Sequence, residues 1–309
     1  MNDSDFSASQ QVEFIDDGVI NWQEVRRTRC QFYQRFQYDY PGPIQNLKQR
    51  LVIVPADRYG AQHLLDHHLM VNPHPVAMRQ TSDKFGNRVL ELDVPQADGV
   101  VSFETLMIVE SEAYDLQRPA ISAAEARHYL KYTRLTRPDQ HIKRAAQQLK
   151  HDSANPHDLA QNIHDWVFAT MRYGHGVTHV ATTAAEALAV GEGLCQDYSH
   201  LMISLCRTLG LPARYVSGHM MGEGGSHAWV EVFLPIESGL GAFAFDPTNN
   251  RKPHLGYVTV AVGRDYSDVS PTSGSYTAPY GGQLTCKKRA GLTMVEYLNG
   301  DTVRSNLVL

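Results

Sequence analysis

Three short segments carry residue types that can perform nucleophilic chemistry. In the first, GEGLCQDYSHLMISLCRTLGLP at 191–212, Cys195 stands at the start of an apolar repeat. Tyr198, Leu201, Met202, Leu205 and Leu209 recur at helical spacing, and Gly210 before Leu211-Pro212 is a stop signal. The spacing predicts a helix over 195–209. Its first turn would hold the Cys195 thiol beside unpaired backbone N–H groups and the positive end of the helix dipole, a setting that favours thiolate over thiol. The same N–H groups can take up charge on an attacked carbonyl oxygen. Asp197, in that turn, suits a helix start but opposes a second negative charge nearby.

A thiol is only partly ionised near neutral pH, so a nucleophilic cysteine needs a base, and the base needs an orienting acid. His227 opens HAWVEVFLP, where Ala228, Val230 and Val232 alternate with Trp229, Glu231 and Phe233; this predicts a strand buried on both faces. Asp246 ends AFAFDPTNN, a second strand closed by Pro247, with Asn249 placed to fix the turn. Adjacent antiparallel strands would set the imidazole beside the carboxylate while the helix brings the thiol. A lone cysteine or histidine in such a place is more often structural. Three in order, each at an element end, point to acyl transfer.

The elements that must position them fall into two regions. Before residue 120, VEFIDDGVI, RRTRCQFYQRFQYDY, QRLVIV, NRVLELDV and VSFETLMIVE read as strands, broken at PGP 41–43, NPHP 72–75 and DKFGN 83–87. Leu90, Leu92 and Val94 alternate with Glu91 and Asp93, as a strand with one buried face requires. Residues 1–120 are therefore expected to form a β-sandwich. Helix formers follow in ISAAEARHYLKY, HIKRAAQQLK, NPHDLAQNIHDWVFATMRY and TTAAEALAV, with Leu159, Ile163, Trp166, Val167 and Met171 on one stripe and Pro156 at a first turn. Residues 121–309 are expected to form an α+β core with C-terminal strands, ending in a more irregular region rich in Gly, Ser and Tyr.

Length and composition agree with this division, since 309 residues suit two domains and 42% hydrophobic against 20% charged residues suits folded ones. A net charge of -5 without a basic stripe argues against a nucleic-acid partner. No apolar run approaches the roughly 20 residues that cross a bilayer. MNDSDFSASQ lacks the pattern of a secretory signal, and Cys30, Cys195, Cys206 and Cys286 form no CxxC pair. A soluble, cytoplasmic protein is expected. Cys206 falls near the apolar side of the predicted helix and reads as packing. Among the histidines, His63 and His67 are four apart like a helical metal pair, with His68 and His74 nearby. No carboxylate or cysteine pattern completes a site, so they read as a solvated cluster, with no metal expected. His175 and His179 read as loop residues beside the cleft, and His219 lies on the wrong motif to replace His227.

Taken together, GEGLCQDYSHLMISLCRTLGLPARYVSGH, SHAWVEVFLP and FDPTNN resemble the core of the transglutaminase-like superfamily, in its bacterial branch. YPGPI and DKFGN resemble the β-rich N-terminal domain of that branch, and GRDYSDVSPTSGSY at 263–276 resembles its C-terminal continuation. The resemblance spans nearly the whole chain. It implies a papain-like core, the catalytic order Cys195, His227, Asp246, a peptide or protein substrate, and chemistry that needs no metal or organic cofactor; no run resembles a calcium loop. Bacterial members resemble peptidases or amidases, so hydrolysis of a peptide, isopeptide or amide bond through a thioester is expected. The alternatives are transfer to an amine acceptor, as in a protein-glutamine transglutaminase, and a non-catalytic peptide-binding module, against which an intact triad weighs. The better-known transglutaminases carry a tryptophan upstream of the cysteine that helps the oxyanion. The comparable place here holds Tyr173 in MRYGHG, which can donate from its hydroxyl or simply pack; Trp166 is the other candidate, and its helical spacing puts it in the core.

Overall fold

Period-two alternation builds the first part of the chain. The computed structural model describes residues 12–113, 119–222, 226–237 and 239–305. Strands β1 (Val25–Asp39), β2 (Ile44–Leu51), β3 (Arg58–Tyr59), β4 (Gln62–Asn72), β5 (Ala77–Ser82), β6 (Arg88–Ala97) and β7 (Val100–Glu112) follow one another. In β6 Leu90, Leu92 and Val94 are buried while Glu91 is exposed, the alternation expected of a strand with one apolar face.

The next stretch contains β8 (Ala120–Ile121), α1 (Ala123–Tyr129), α2 (Gln140–His151), α3 (Pro156–Thr170), β9 (Arg172–Tyr173), α4 (Ala184–Val190), β10 (Glu192–Gly193) and α5 (Cys195–Thr208). Local chemistry sets the helix starts. Asn155 accepts from the N–H groups of His157 and Asp158 ahead of α3, with Pro156 at its first position. Thr183 and Glu186 form a capping box on α4, which ends at Gly191 in the left-handed region (φ 71°). Strands β11 (Ala213–Met220), β12 (His227–Ile236), β13 (Gly239–Phe245) and β14 (Tyr257–Gly263) complete the core, where the sheet order is β14-β11-β12-β13-β8.

The chain then returns through the short α6 (Tyr266–Val269) to β15 (Thr272–Thr277), β16 (Gln283–Tyr297) and β17 (Thr302–Arg304). The sequence reading placed these residues with the core and called their end irregular; they belong instead to the N-terminal sheets. β15 pairs with β2, and β16 pairs along β1 from Val25–Tyr297 to Asp39–Gln283. The reason is hydrogen-bond demand: without them β1 and β2 would be edge strands with a row of unpaired N–H and C=O groups. The result is a six-stranded sheet, β17-β16-β1-β7-β4-β3, and a four-stranded sheet, β15-β2-β6-β5. Phe32, Met107 and Phe103 of the first share one apolar core with Ile44, Leu51 and Leu92 of the second.

β12 is buried on both faces, as its sequence predicted, and the two coverings differ. Ala228, Val230, Val232 and Leu234 pack in the cluster that holds Leu201, Met202 and Leu205 of α5. Trp229 and Phe233 face Phe85 from the N-terminal domain. Polar groups lock this junction: the Asn87 amide exchanges two bonds with Val262 (2.7 and 2.8 Å), and Gln62 does the same with Thr259 (2.8 Å each). Arg214 donates to Glu231 at 2.7 Å, and Tyr59 donates to the same carboxylate at 2.5 Å. DKFGN thus acts as a docking turn, its Asp83 accepting from the N–H groups of Phe85 and Asn87 and so presenting Asn87 to the core.

Candidate active site

α5 begins at Cys195, and its first intrahelical bond runs from the Asp197 N–H to the Leu194 carbonyl (2.8 Å). The N–H groups of Cys195 and Gln196 therefore lie ahead of the helical ladder, at the positive end of the dipole. Asp197 is committed locally. Its Oδ2 accepts from Leu194 N–H (2.8 Å) and the Thr178 hydroxyl (2.7 Å), so it caps the helix and ties the 174–182 loop to it. Burial pushes this carboxyl up, against the pull of those two donors.

His227 starts β12 and is 3% exposed. Its Nε2 donates to Asp246 Oδ2 at 2.8 Å, which leaves Nδ1 for the hydrogen bond with the Cys195 side chain. Burial alone would lower the imidazole; the hydrogen bonds and charges of Asp246 and Cys195 together outweigh it and raise His227 to about 10. Asp246 is fully buried just after β13. Burial opposes its ionisation, but the bonds from His227, Tyr257 and Asn249 hold its carboxyl below the ordinary range.

Asp246 is more densely held than sequence reasoning foresaw. Oδ2 accepts from the Tyr257 hydroxyl (2.6 Å) and the Asn249 amide (2.9 Å) as well as His227, while Oδ1 accepts from the N–H groups of Thr248 (3.1 Å) and Asn249 (3.3 Å). Its own carbonyl accepts from His164 Nε2 on α3 (3.0 Å). Asn249 was expected at this turn; Tyr257 and His164 were not. The one signal for His164 is a histidine on the stripe of Ala160, Ile163 and Val167, all of which are buried.

Cys195 and His227 open on a cleft of about 810 Å³ that is also lined by Tyr173, His175, Tyr215 and Tyr266. Tyr173, 55% exposed, stands at its rim with its ring 5.4 Å from that of His175. His179 organises the loop, Nδ1 accepting from Ala181 N–H (3.1 Å). His219 is elsewhere, its ring stacked 4.9 Å from Phe32 of β1. Trp166 packs against the core and does not line this cleft. Cys206 is fully buried, and burial pushes its thiol up to about 12. The metal-pair spacing of His63 and His67 does not apply, because both lie on β4, where four residues span about 13 Å rather than one helical turn.

Residues 143–247, which include Cys195, His227 and Asp246, match the transglutaminase-like superfamily, and residues 31–110 match the bacterial transglutaminase-like N-terminal region. The chain belongs to the bacterial transglutaminase-like superfamily. Among the relatives of this chain, ML0607 of Mycobacterium leprae is 37% identical over 122 residues, 36% of this chain and 42% of that protein. Rv2569c of Mycobacterium tuberculosis is 25% identical over 279 residues, 80% of this chain and 87% of that protein. A candidate cysteine protease from Cytophaga hutchinsonii shares the fold, with a TM-score of 0.71 and 22% identity over 91% of this chain and 94% of that one. The expectation of a cytoplasmic protein is corrected: the solved structures that match include the periplasmic domain of TgpA from Pseudomonas aeruginosa, 16% identical over 74% of this chain and 88% of that domain, with a TM-score of 0.40. Unpaired cysteines do not select a compartment when, as with Cys30 and Cys206, they are buried with no partner to oxidise with. No compartment is assigned. Among the described residues no helix is long and apolar enough to cross a membrane.

Proposed function

We propose that this superfamily member is a cysteine-nucleophile acyl-transfer enzyme that hydrolyses peptide, isopeptide or amide bonds, with Cys195, His227 and Asp246 as its catalytic residues. The observation that carries the reading is the buried imidazole of His227, bonded on one side by Asp246 and on the other by a thiol at a helix N-terminus, at the floor of an open cleft.

Cys195 gives its thiol proton to His227 Nδ1 and Sγ attacks the carbonyl carbon; the electron pair of the C=O bond moves to oxygen, within reach of the N–H groups that precede the ladder of α5. His227 then gives a proton to the leaving nitrogen as the C–N bond breaks, and a thioester on Cys195 remains. Water, losing a proton to the imidazole, attacks the thioester; carboxylic acid leaves and the thiol is restored. The cleft is open to solvent at Tyr173 and Ser226, which favours water over an amine as the acceptor. Among the described lining residues are Tyr173, Tyr215 and Tyr266, which would meet aromatic or apolar groups flanking the scissile bond.

Incubation with a library of peptides and amides, followed by acid quenching and mass spectrometry, tests this directly. An acyl adduct on Cys195 is expected. An enzyme that turns over such substrates while its adduct sits elsewhere, or that never acquires one under rapid quenching, would exclude the thioester route.

Within the same reading the Tyr173 hydroxyl is a second donor to the oxyanion. Removing one such donor typically costs about 10²-fold in kcat. Tyr173→Phe is expected to show a loss of that order with KM little changed, measured by steady-state kinetics; an unchanged kcat would leave Tyr173 as cleft wall only.

A further inference from the structure

We infer that Tyr257 and Arg251 are positioning residues of the candidate site, forming a second hydrogen-bonded relay that meets Asp246 on the same oxygen as His227. The inference rests on the proposed roles of Cys195, His227 and Asp246. Arg251 Nε donates to the Tyr257 hydroxyl at 2.9 Å, and that hydroxyl donates to Asp246 Oδ2 at 2.6 Å. The guanidinium also lies 5.7 Å from the centroid of the Tyr257 ring, and Nη2 is 2.8 Å from Met220 Sδ. The backbone closes the same loop, because Asp246 N–H donates to the Arg251 carbonyl at 2.9 Å and Arg251 N–H returns the bond at 3.3 Å. One residue thus fixes both the peptide and, through a phenol, the carboxylate of Asp246.

The relay does what a buried carboxylate needs. Asp246 has no exposure to solvent, so its charge is held by donors alone. The charged and titratable groups facing it are His227 on β12 with Cys195 beyond it, Tyr257 on β14, Arg251 and His254 in the connection between, and His164 on α3, whose Nδ1 lies 2.8 Å from Asp165. Lys252 is turned to the Phe245 ring, 5.7 Å from its centroid. Arg251 is therefore the cation that reaches the carboxylate by hydrogen bonds without being part of the proton path. The Tyr257 phenol, raised by burial and then by the Asp246 charge, keeps its proton and serves only as donor.

The test reads the pH dependence of Cys195 alkylation by iodoacetamide, which needs no knowledge of substrate, in the full chain. The wild type and His227→Ala come first. A rate accelerated by His227 upholds the catalytic reading; equal rates and equal pH profiles would overturn that reading and this inference with it. Tyr257→Phe removes a donor to a charged group, an effect of about tenfold. Because the donor favours the ionised carboxyl, the acid limb of the profile is expected to move to higher pH, with the rate at low pH falling about tenfold. Arg251→Met, at an exposed position, is expected to move the limb the same way by less, and decides the matter if Tyr257→Phe does not fold. Should both variants melt lower while their acid limbs coincide with that of the wild type, the two residues are structural only and the inference fails.

Discussion

Cys195→Ala is expected to lower amide or peptide hydrolysis by about 10⁴-fold or more, because the triad acts as a unit and removing its nucleophile leaves only binding and oxyanion stabilisation. The fold should tolerate the change. Cys195 is part-buried at the helix edge of the core, and the cap at Asp197 does not involve its sulfur. Thermal melting is therefore expected to stay near that of the wild type, so a lost rate is a lost reaction. Cys206→Ala is the matching control. That thiol is sealed in the same helix and held protonated, so its loss leaves the reaction in place while opening a small cavity. Hydrolysis that survives in Cys195→Ala and disappears on alkylation of another cysteine would remove the proposed mechanism. A reaction of comparable rate with no cysteine requirement at all would do the same.

Sequence patterns made the positions of these groups legible wherever a local rule governs them. The helix from Cys195 follows from Tyr198, Leu201, Met202 and Leu205, all buried, and from Gly210, which adopts φ 79° just after the helix. The strand from His227 follows from apolar residues on both of its faces, Glu231 apart, since it is covered by α5 on one side and the N-terminal domain on the other. What local rules cannot reach is a partner chosen by tertiary packing. His164 meets Asp246 across 82 residues, and nothing near either one announces the other. Thr178 and Asp197 meet only because the 174–182 loop folds over the helix start. C-terminal strands were expected, but with the core, and their pairing with the N-terminal sheets was out of reach for a related reason. The Gly, Ser and Tyr content of 272–283 gives weak alternation, and its pairing is decided by the open edges of β1 and β2, more than 200 residues earlier in the chain. Tyr257 opens a strand, Tyr257–Gly263, that the sequence reading did not single out, and nothing in its local pattern shows that the hydroxyl reaches the acid of the site.

Asp246→Asn is the sharper test of the electrostatic argument, because it changes charge and hydrogen-bond direction while keeping shape. Asp246 accepts five hydrogen bonds through two oxygens and donates none from its side chain. An asparagine can offer only one acceptor oxygen, and its Nδ2 would face donors. If oxygen takes the Oδ2 place, Thr248 and Asn249 N–H groups lose their acceptor; if nitrogen does, it confronts the protons of His227 and Tyr257. Each stranded buried donor costs about 1–3 kcal/mol, so a lower melting temperature is expected. The larger effect falls on the imidazole. Burial on its own lowers His227, and Asp246 supplies a hydrogen bond and a charge that reverse this; without the charge, the imidazole titrates well below about 10 and is held less firmly in the tautomer that presents Nδ1 to Cys195. Loss of the orienting acid in a triad costs about 10⁴-fold in kcat, and a loss of 10³–10⁴-fold is the expected order here. Alkylation separates the causes. If the acid works by holding the imidazolium, the accelerated reactivity of Cys195 near neutral pH should fall towards that of His227→Ala. A folded Asp246→Asn protein with wild-type thiol reactivity and wild-type kcat would show that the carboxylate contributes packing and nothing to the proton path.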